Sequence, residues 1–172
     1  DLPAIRLDGM FEWRELSMVW SGVYRSLALE VTDPVSVVDV YVQPKLESKS
    51  VLVTAELSQA SAEPVTVNLD VRDNAALLGS ATAHLQAGQT TLETTVNLSG
   101  FTAWSPSHPK LYTLDFAVRR SAESAPIDRV PIRFGMREVR TTSDKFYLNG
   151  KPLYVRCFGD MQLYLDTIAP PH

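Results

Sequence analysis

The stretch Val65-Thr66-Val67-Asn68-Leu69-Asp70-Val71-Arg72 alternates apolar and polar residues without a break. Successive side chains of a strand point to opposite faces, so this octet puts four aliphatic groups on one side and four polar groups on the other. The pattern recurs outward along the chain. Val51, Val53, Ala55 and Leu57 interleave with Leu52, Thr54, Glu56 and Ser58. Leu92, Thr94, Val96 and Leu98 interleave with Glu93, Thr95 and Asn97. Tyr112, Leu114, Phe116 and Val118 interleave with Thr113, Asp115, Ala117 and Arg119. Val38, Val40 and Val42 form a further run, and Val130, Ile132, Phe134 and Met136 close the series.

One apolar and one wet face per segment is the mark of antiparallel sheets that bury a single side. Turn signals separate the segments at Pro44 to Ser50, Ser61 to Pro64, Asp73-Asn74, Ala87-Gly88 and Ser121 to Pro126. No stretch of about 12 residues carries helical periodicity. The segment Ala75 to Gln86 is ambiguous, and Gly79 among small residues favours a strand or an irregular edge. The predicted fold is all-β, an immunoglobulin-like antiparallel β-sandwich.

Three pieces are predicted: a short leading segment over 1–32, the sandwich over 33–139 and a tail over 140–172. Asp33-Pro34 marks the first junction, where proline removes a ladder donor and fixes φ. The short alternating run Leu27, Leu29, Val31 precedes it. In the tail, Phe146-Tyr147-Leu148-Asn149-Gly150-Lys151-Pro152-Leu153-Tyr154-Val155 reads as a hairpin, since Asn-Gly accepts the positive φ of a type I′ turn.

The chemistry available is narrow. The 172 residues carry a net charge of −4, and no Lys/Arg run gives the basic footprint of a nucleic-acid binder. No apolar run reaches membrane-spanning length. Cys157 is the sole cysteine, so no internal disulfide or zinc knuckle forms; His84, His108 and His172 lack metal-ligand spacing. No metal or cofactor is expected. With no histidine beside it in sequence, Cys157 reads as a buried inert thiol rather than a nucleophile. Asn97-Leu98-Ser99 is a formal glycosylation sequon, a short pattern that arises often by chance. No export signal opens the chain, no compartment is assigned, and the start at Asp1 without Met reads as a processed or excised piece.

Five strings resemble family 2 glycoside hydrolases, in that family's order. Trp20-Ser21-Gly22-Val23-Tyr24-Arg25 resembles the string that ends the family's jelly-roll domain. Asp39-Val40-Tyr41-Val42-Gln43-Pro44 looks like the first strand of its immunoglobulin-like domain. Trp104-Ser105-Pro106 followed by His108-Pro109-Lys110-Leu111-Tyr112-Thr113-Leu114 is similar to its Trp-Xaa-Pro…Pro-Xaa-Leu-Tyr-Xaa-Leu signature. Phe134-Gly135-Met136-Arg137-Glu138 matches Phe-Gly-Xaa-Arg-Glu, and Phe146 to Pro152 matches the hairpin that leads into the catalytic (β/α)8 barrel.

The resemblance implies a parent enzyme of the β-galactosidase, β-glucuronidase and β-mannosidase kind, hydrolysing β-glycosides with retention through two barrel glutamates. It makes 1–32 the end of a jelly-roll domain and 140–172 a hairpin with the start of a barrel. The expected partners of 33–139 are then those flanking domains, with carbohydrate as a further candidate. A barrel takes roughly 250 residues, and no asparagine of this sequence precedes a glutamate as the family's acid/base pair requires. No catalytic residue is therefore assigned, and this chain alone is expected to be inactive.

By the same resemblance, Arg156 and Asp160 approach the sugar site of an intact parent; the alternative is a structural salt bridge. Cys157 stands where the family has glycine, and Met161 near the place of a histidine. Trp104 and Tyr112 are candidates for stacking on sugar rings. The favoured reading is that Trp104 anchors its loop, stiffened by Pro106 and Pro109. Trp13 and Trp20 read as packing residues. Two further roles stay open: a free-standing glycan- or protein-binding module, and a bare spacer. Apolar surface at the ends predicts weak self-association.

Overall fold

The computed structural model describes residues 27, 29, 31–120 and 125–157, and every structural statement below concerns these. Seven strands build two facing sheets. β1 (Val37–Lys45), β2 (Ser50–Leu57) and β5 (Thr91–Asn97) form one, in the order β1-β2-β5. β3 (Val65–Asp73), β4 (Ala76–Leu85), β6 (Tyr112–Arg119) and β7 (Asp128–Phe134) form the other, in the order β4-β3-β6-β7. All neighbours are antiparallel. A third small sheet is a meander of β8 (Val139–Thr141), β9 (Phe146–Leu148) and β10 (Lys151–Leu153). These strands lie in one unit, Val31–Val155; the second unit, Asp1–Glu30 with Arg156–His172, is described only at Leu27, Leu29, Arg156 and Cys157.

The alternation sets the core. Val51, Val53, Ala55, Leu57 and Val96 of one sheet face Val65, Val67, Leu69, Val71, Leu114, Phe116 and Val118 of the other, all buried. The polar residues between them stay at the outer faces. This is the all-β immunoglobulin-like sandwich that the pattern predicts. One strand differs from antibody constant domains, whose fourth strand joins the first sheet. Here β4 pairs with β3. The ambiguous segment Ala75 to Gln86 is thus mostly strand, carrying a bulge where Val71 pairs Gly79 but Arg72 pairs Leu77. The bulged residue, Leu78, turns its carbonyl to the Ser99 N–H at 2.8 Å and ties β4 to the end of β5.

Two readings need correction. First, Val38 does not share a face with Val40 and Val42. A register shift between Val37 and Asp39 makes it the extra residue of a bulge. Val38 is 62% exposed while Val37 packs on the core. Second, Pro44 does not open a turn but lies inside β1, opposite Val51. Proline is tolerated there because β1 is an edge strand. The predicted turn at Ser121 to Pro126 falls largely outside the described residues.

On the outer face of the four-stranded sheet, Asp115 of β6 holds Arg129 of β7 through a two-pronged contact, Nε to Oδ1 at 2.6 Å with Nη2 on Oδ2. The Arg129 hydrogen bond lowers the Asp115 pKa, against partial burial, which raises it. A carboxyl whose folded pKa is depressed stabilises the fold above its unfolded pKa, near 3.9, and loses that contribution as pH falls through the folded value. Asp115→Asn should therefore lower the neutral plateau and make the acid limb of the stability–pH curve shallower, the two proteins converging at the acid end, as read by urea midpoints from pH 2 to 7. An equally steep limb in the variant would contradict this role.

Candidate functional site

Several sequence motifs converge where the sandwich meets the β8–β10 meander. Phe134 ends β7 in the core, 8% exposed, and Met136 is fully buried. Between them Gly135 passes against the indole of Trp104; a Cβ there would lie 2.9 Å from the ring. The Trp104 N–H donates to the Met136 carbonyl at 2.9 Å, and the Arg137 guanidinium stacks over the indole at 4.5 Å. Glu138 Oε1 accepts the Leu46 N–H from the β1–β2 turn at 2.9 Å.

Asn149 closes the junction. Its side-chain oxygen accepts the Glu138 N–H at 3.0 Å, its amide nitrogen donates to the Trp104 carbonyl at 2.9 Å, and its backbone N–H donates to the Glu138 carbonyl at 2.9 Å. Asn149 and Gly150 have φ of 52° and 77°, so the Asn-Gly turn has the left-handed backbone that the dipeptide predicts. Asn149 thus sets the turn and also carries the bonds that fix the hairpin to the Trp104 loop. Its sequence signal was the turn alone; the cross-links to residues 45 and 11 positions away had none.

The candidate residues take distinct places. Tyr112 is 3% exposed at the start of β6. Its hydroxyl accepts the Thr102 N–H at 2.7 Å and donates to the Thr102 carbonyl at 3.4 Å. This is the tyrosine corner of immunoglobulin-like sandwiches, and it leaves no ring face for a sugar. Trp104 is half-buried with one face under Arg137. Both rings therefore act first as anchors of the 101–111 loop. Lys110 reaches Asp73 at 2.6 Å, a hydrogen bond that raises the lysine pKa. Arg156 is exposed, and Asp160, Met161, Trp13 and Trp20 lie outside the described residues. Cys157 is exposed rather than buried; it lies past β10 and outside the core cluster of the sandwich. Among the described residues no three His, Cys, Asp or Glu side chains gather to hold a metal.

An open groove of about 630 Å³ runs along one side of the junction, between β1 and the chain leaving β7. Its charged lining is Lys45, Arg133, Arg137 and Arg140 against the single acid Glu138. Arg140 lies 3.4 Å from Glu138. Tyr41 and Val139 also line it, 60% and 59% exposed. Elsewhere the ion-paired acids are occupied: Asp33 with Arg120, Asp70 with Arg72, Asp73 with Lys110. Asp33 is held below the usual carboxylate range, chiefly by the Val35 N–H and also by Arg120.

Comparison with known proteins places this architecture. A β-galactosidase of Thermoanaerobacter pseudethanolicus (strain ATCC 33223 / 39E) is 25% identical over 153 residues, 86% of this chain and 20% of that protein. A mouse (Mus musculus) β-glucuronidase is 29% identical over 141 residues, 78% of this chain and 20% of that protein. The chain thus spans about a fifth of the length of these curated relatives. Among solved structures, a glycosyl hydrolase family 2 member from Bacteroides cellulosilyticus superposes with a TM-score of 0.61 at 19% identity, covering 70% of this chain and 18% of that one. The Ruminococcus gnavus β-glucuronidase superposes with a TM-score of 0.54 at 23% identity, over 72% of this chain and 19% of that one. These structural likenesses concern the fold. The profile of glycosyl hydrolases family 2 matches residues 35–137, from the start of the sandwich through the Trp104 loop to Arg137, and the chain belongs to that family.

Proposed function

We propose that residues 33–139 are a non-catalytic module of a longer family 2 glycoside hydrolase, and that their work is to hold its flanking domains at fixed angles. On this reading 1–32 ends a jelly-roll domain, and 140–172 carries the hairpin that opens a (β/α)8 barrel. The observation that carries it is Asn149: one side chain at a hairpin turn bonds both the Trp104 loop and the Glu138 backbone, so the outgoing chain leaves the sandwich in one direction. A flexible linker needs no such bonds.

The longer protein would hydrolyse a β-glycoside with retention, a chemistry that uses two carboxyl groups about 5–5.5 Å apart. Arg156 and Asp160 would then approach its sugar site. A glycan-binding role through Trp104 and Tyr112 has less support, given the buried tyrosine and the covered indole face. The purified 172-residue chain is expected to release no nitrophenol from nitrophenyl β-galactoside or β-glucuronide, whereas the longer protein turns over at least one nitrophenyl β-glycoside. Turnover by the 172-residue chain would overturn the non-catalytic assignment.

A further inference from the structure

We infer that the groove between β1 and the chain leaving β7 is a docking surface for an acidic surface of the longer protein, lying outside residues 31–155. The inference rests on the positioning role proposed above and names the face and the chemistry through which it acts. The first reason is charge. The groove concentrates one lysine and three arginines against one acid in a chain of net charge −4. Glu138 is committed to the Leu46 N–H and Arg140, so it leaves Lys45 and Arg133 unneutralised. Neither of those two has an ion-pair partner among the described residues. A partner that buries this face has to bring carboxylates, because burying unpaired cations is costly.

The second reason is composition. Tyrosine and arginine are the side chains that carry most binding energy at protein interfaces, and lysine-poor, arginine-rich patches with an apolar centre are typical of them. Here Tyr41 and Val139 present that apolar surface between the arginines. The third is continuity. Arg137 and Glu138 line the groove and also belong to the junction that fixes the hairpin. A domain held there would be gripped by both the hairpin and the groove. The curated relatives are about five times as long as the aligned region, so a covering domain of the same chain has ample length.

Zero-length carbodiimide coupling of the longer protein tests this, because it joins a lysine only to a carboxylate in direct contact. Lys45 should couple to an Asp or Glu outside residues 31–155, identified by peptide mass spectrometry. Arg133→Glu, at an exposed site of β7, should reduce that product about tenfold, as the loss of a close charge pair does. The same substitution should leave the thermal midpoint of the 172-residue chain unchanged, which separates docking from folding. The proposal falls if Lys45 couples only to Glu138 or to nothing. It also falls if acetylation labels Lys45 equally in the longer protein and in the 172-residue chain, or if hexagalacturonate rather than a protein carboxylate protects it. In each case the non-catalytic reading stands as long as the 172-residue chain releases no nitrophenol, so the two can fail separately.

Discussion

Phe116→Ala is expected to lower the stability of the sandwich by about 3–5 kcal/mol. Phe116 is fully buried and heads the largest enclosed side chains. It sits in the middle of β6, opposite Leu69 of β3 and Val130 of β7. Valines of the facing sheet, Val51, Val53 and Val96, belong to the same core and are short. They cannot reach into the space a benzyl group vacates, because neighbouring strands hold their backbones. The loss is therefore the transfer energy of the ring plus a cavity that stays open. Urea unfolding should show a lower midpoint with an unchanged slope, since the surface exposed on unfolding hardly differs. A loss below about 1 kcal/mol would mean that the core collapses around the gap and that the sandwich is looser than the geometry implies.

Gly79→Ala comes second, and here two effects oppose each other. By propensity alone, replacing glycine with alanine inside a strand is favourable by roughly 0.5–1 kcal/mol. At Gly79, however, a Cβ would stand 2.1 Å from the backbone oxygen of Asn97 and 3.2 Å from Leu98 Cδ2. The oxygen belongs to β5 and cannot rotate away, so one strand has to move. Overpacking of this kind costs about 1–3 kcal/mol and sometimes more. With a backbone atom as the obstacle, we place the loss near or above 3 kcal/mol, enough to outweigh the gain. Gly100→Ala serves as the control: nothing lies within 4 Å of its Cβ position and its φ is not positive. It should be neutral or slightly stabilising. If Gly79→Ala matches Gly100→Ala in thermal midpoint, the close approach of β4 to β5 is wrong.

These two positions also show what could be read from the residues. Phe116 was visible as core from alternation, because period two fixes the face of every residue in a regular strand. Gly79 was visible only as an oddity. Its reason is the close approach of β5, which no local pattern reports. Val38 illustrates the limit from the other side: one bulged residue shifts the register and turns an apparent core valine outward. The site divides in the same way. The Trp104 loop, the Phe134 to Glu138 string and the Asn-Gly turn each had a sequence signature. Their convergence rests on hydrogen bonds between distant segments, Leu46 to Glu138 and Asn149 to Trp104, which only the folded chain brings together. Tyr112 was legible as an aromatic near the loop. Its role as a corner depends on the Thr102 backbone, which the alternation pattern does not mark.

The central claim is that the sandwich holds the outgoing hairpin rigidly through Asn149. Amide hydrogen exchange of the 172-residue chain at Glu138 and Asn149 tests this directly, because each N–H is bonded only through the junction. Both should exchange orders of magnitude more slowly than an unfolded chain, approaching the protection of β3 and β6. In Asn149→Gly, which keeps the positive φ but removes the side-chain acceptor, the Glu138 amide should lose most of that protection while Leu69 and Phe116 keep theirs. Exchange at Glu138 and Asn149 close to the unfolded-chain rate in the unaltered protein would show a hairpin that swings freely, and a module that positions nothing.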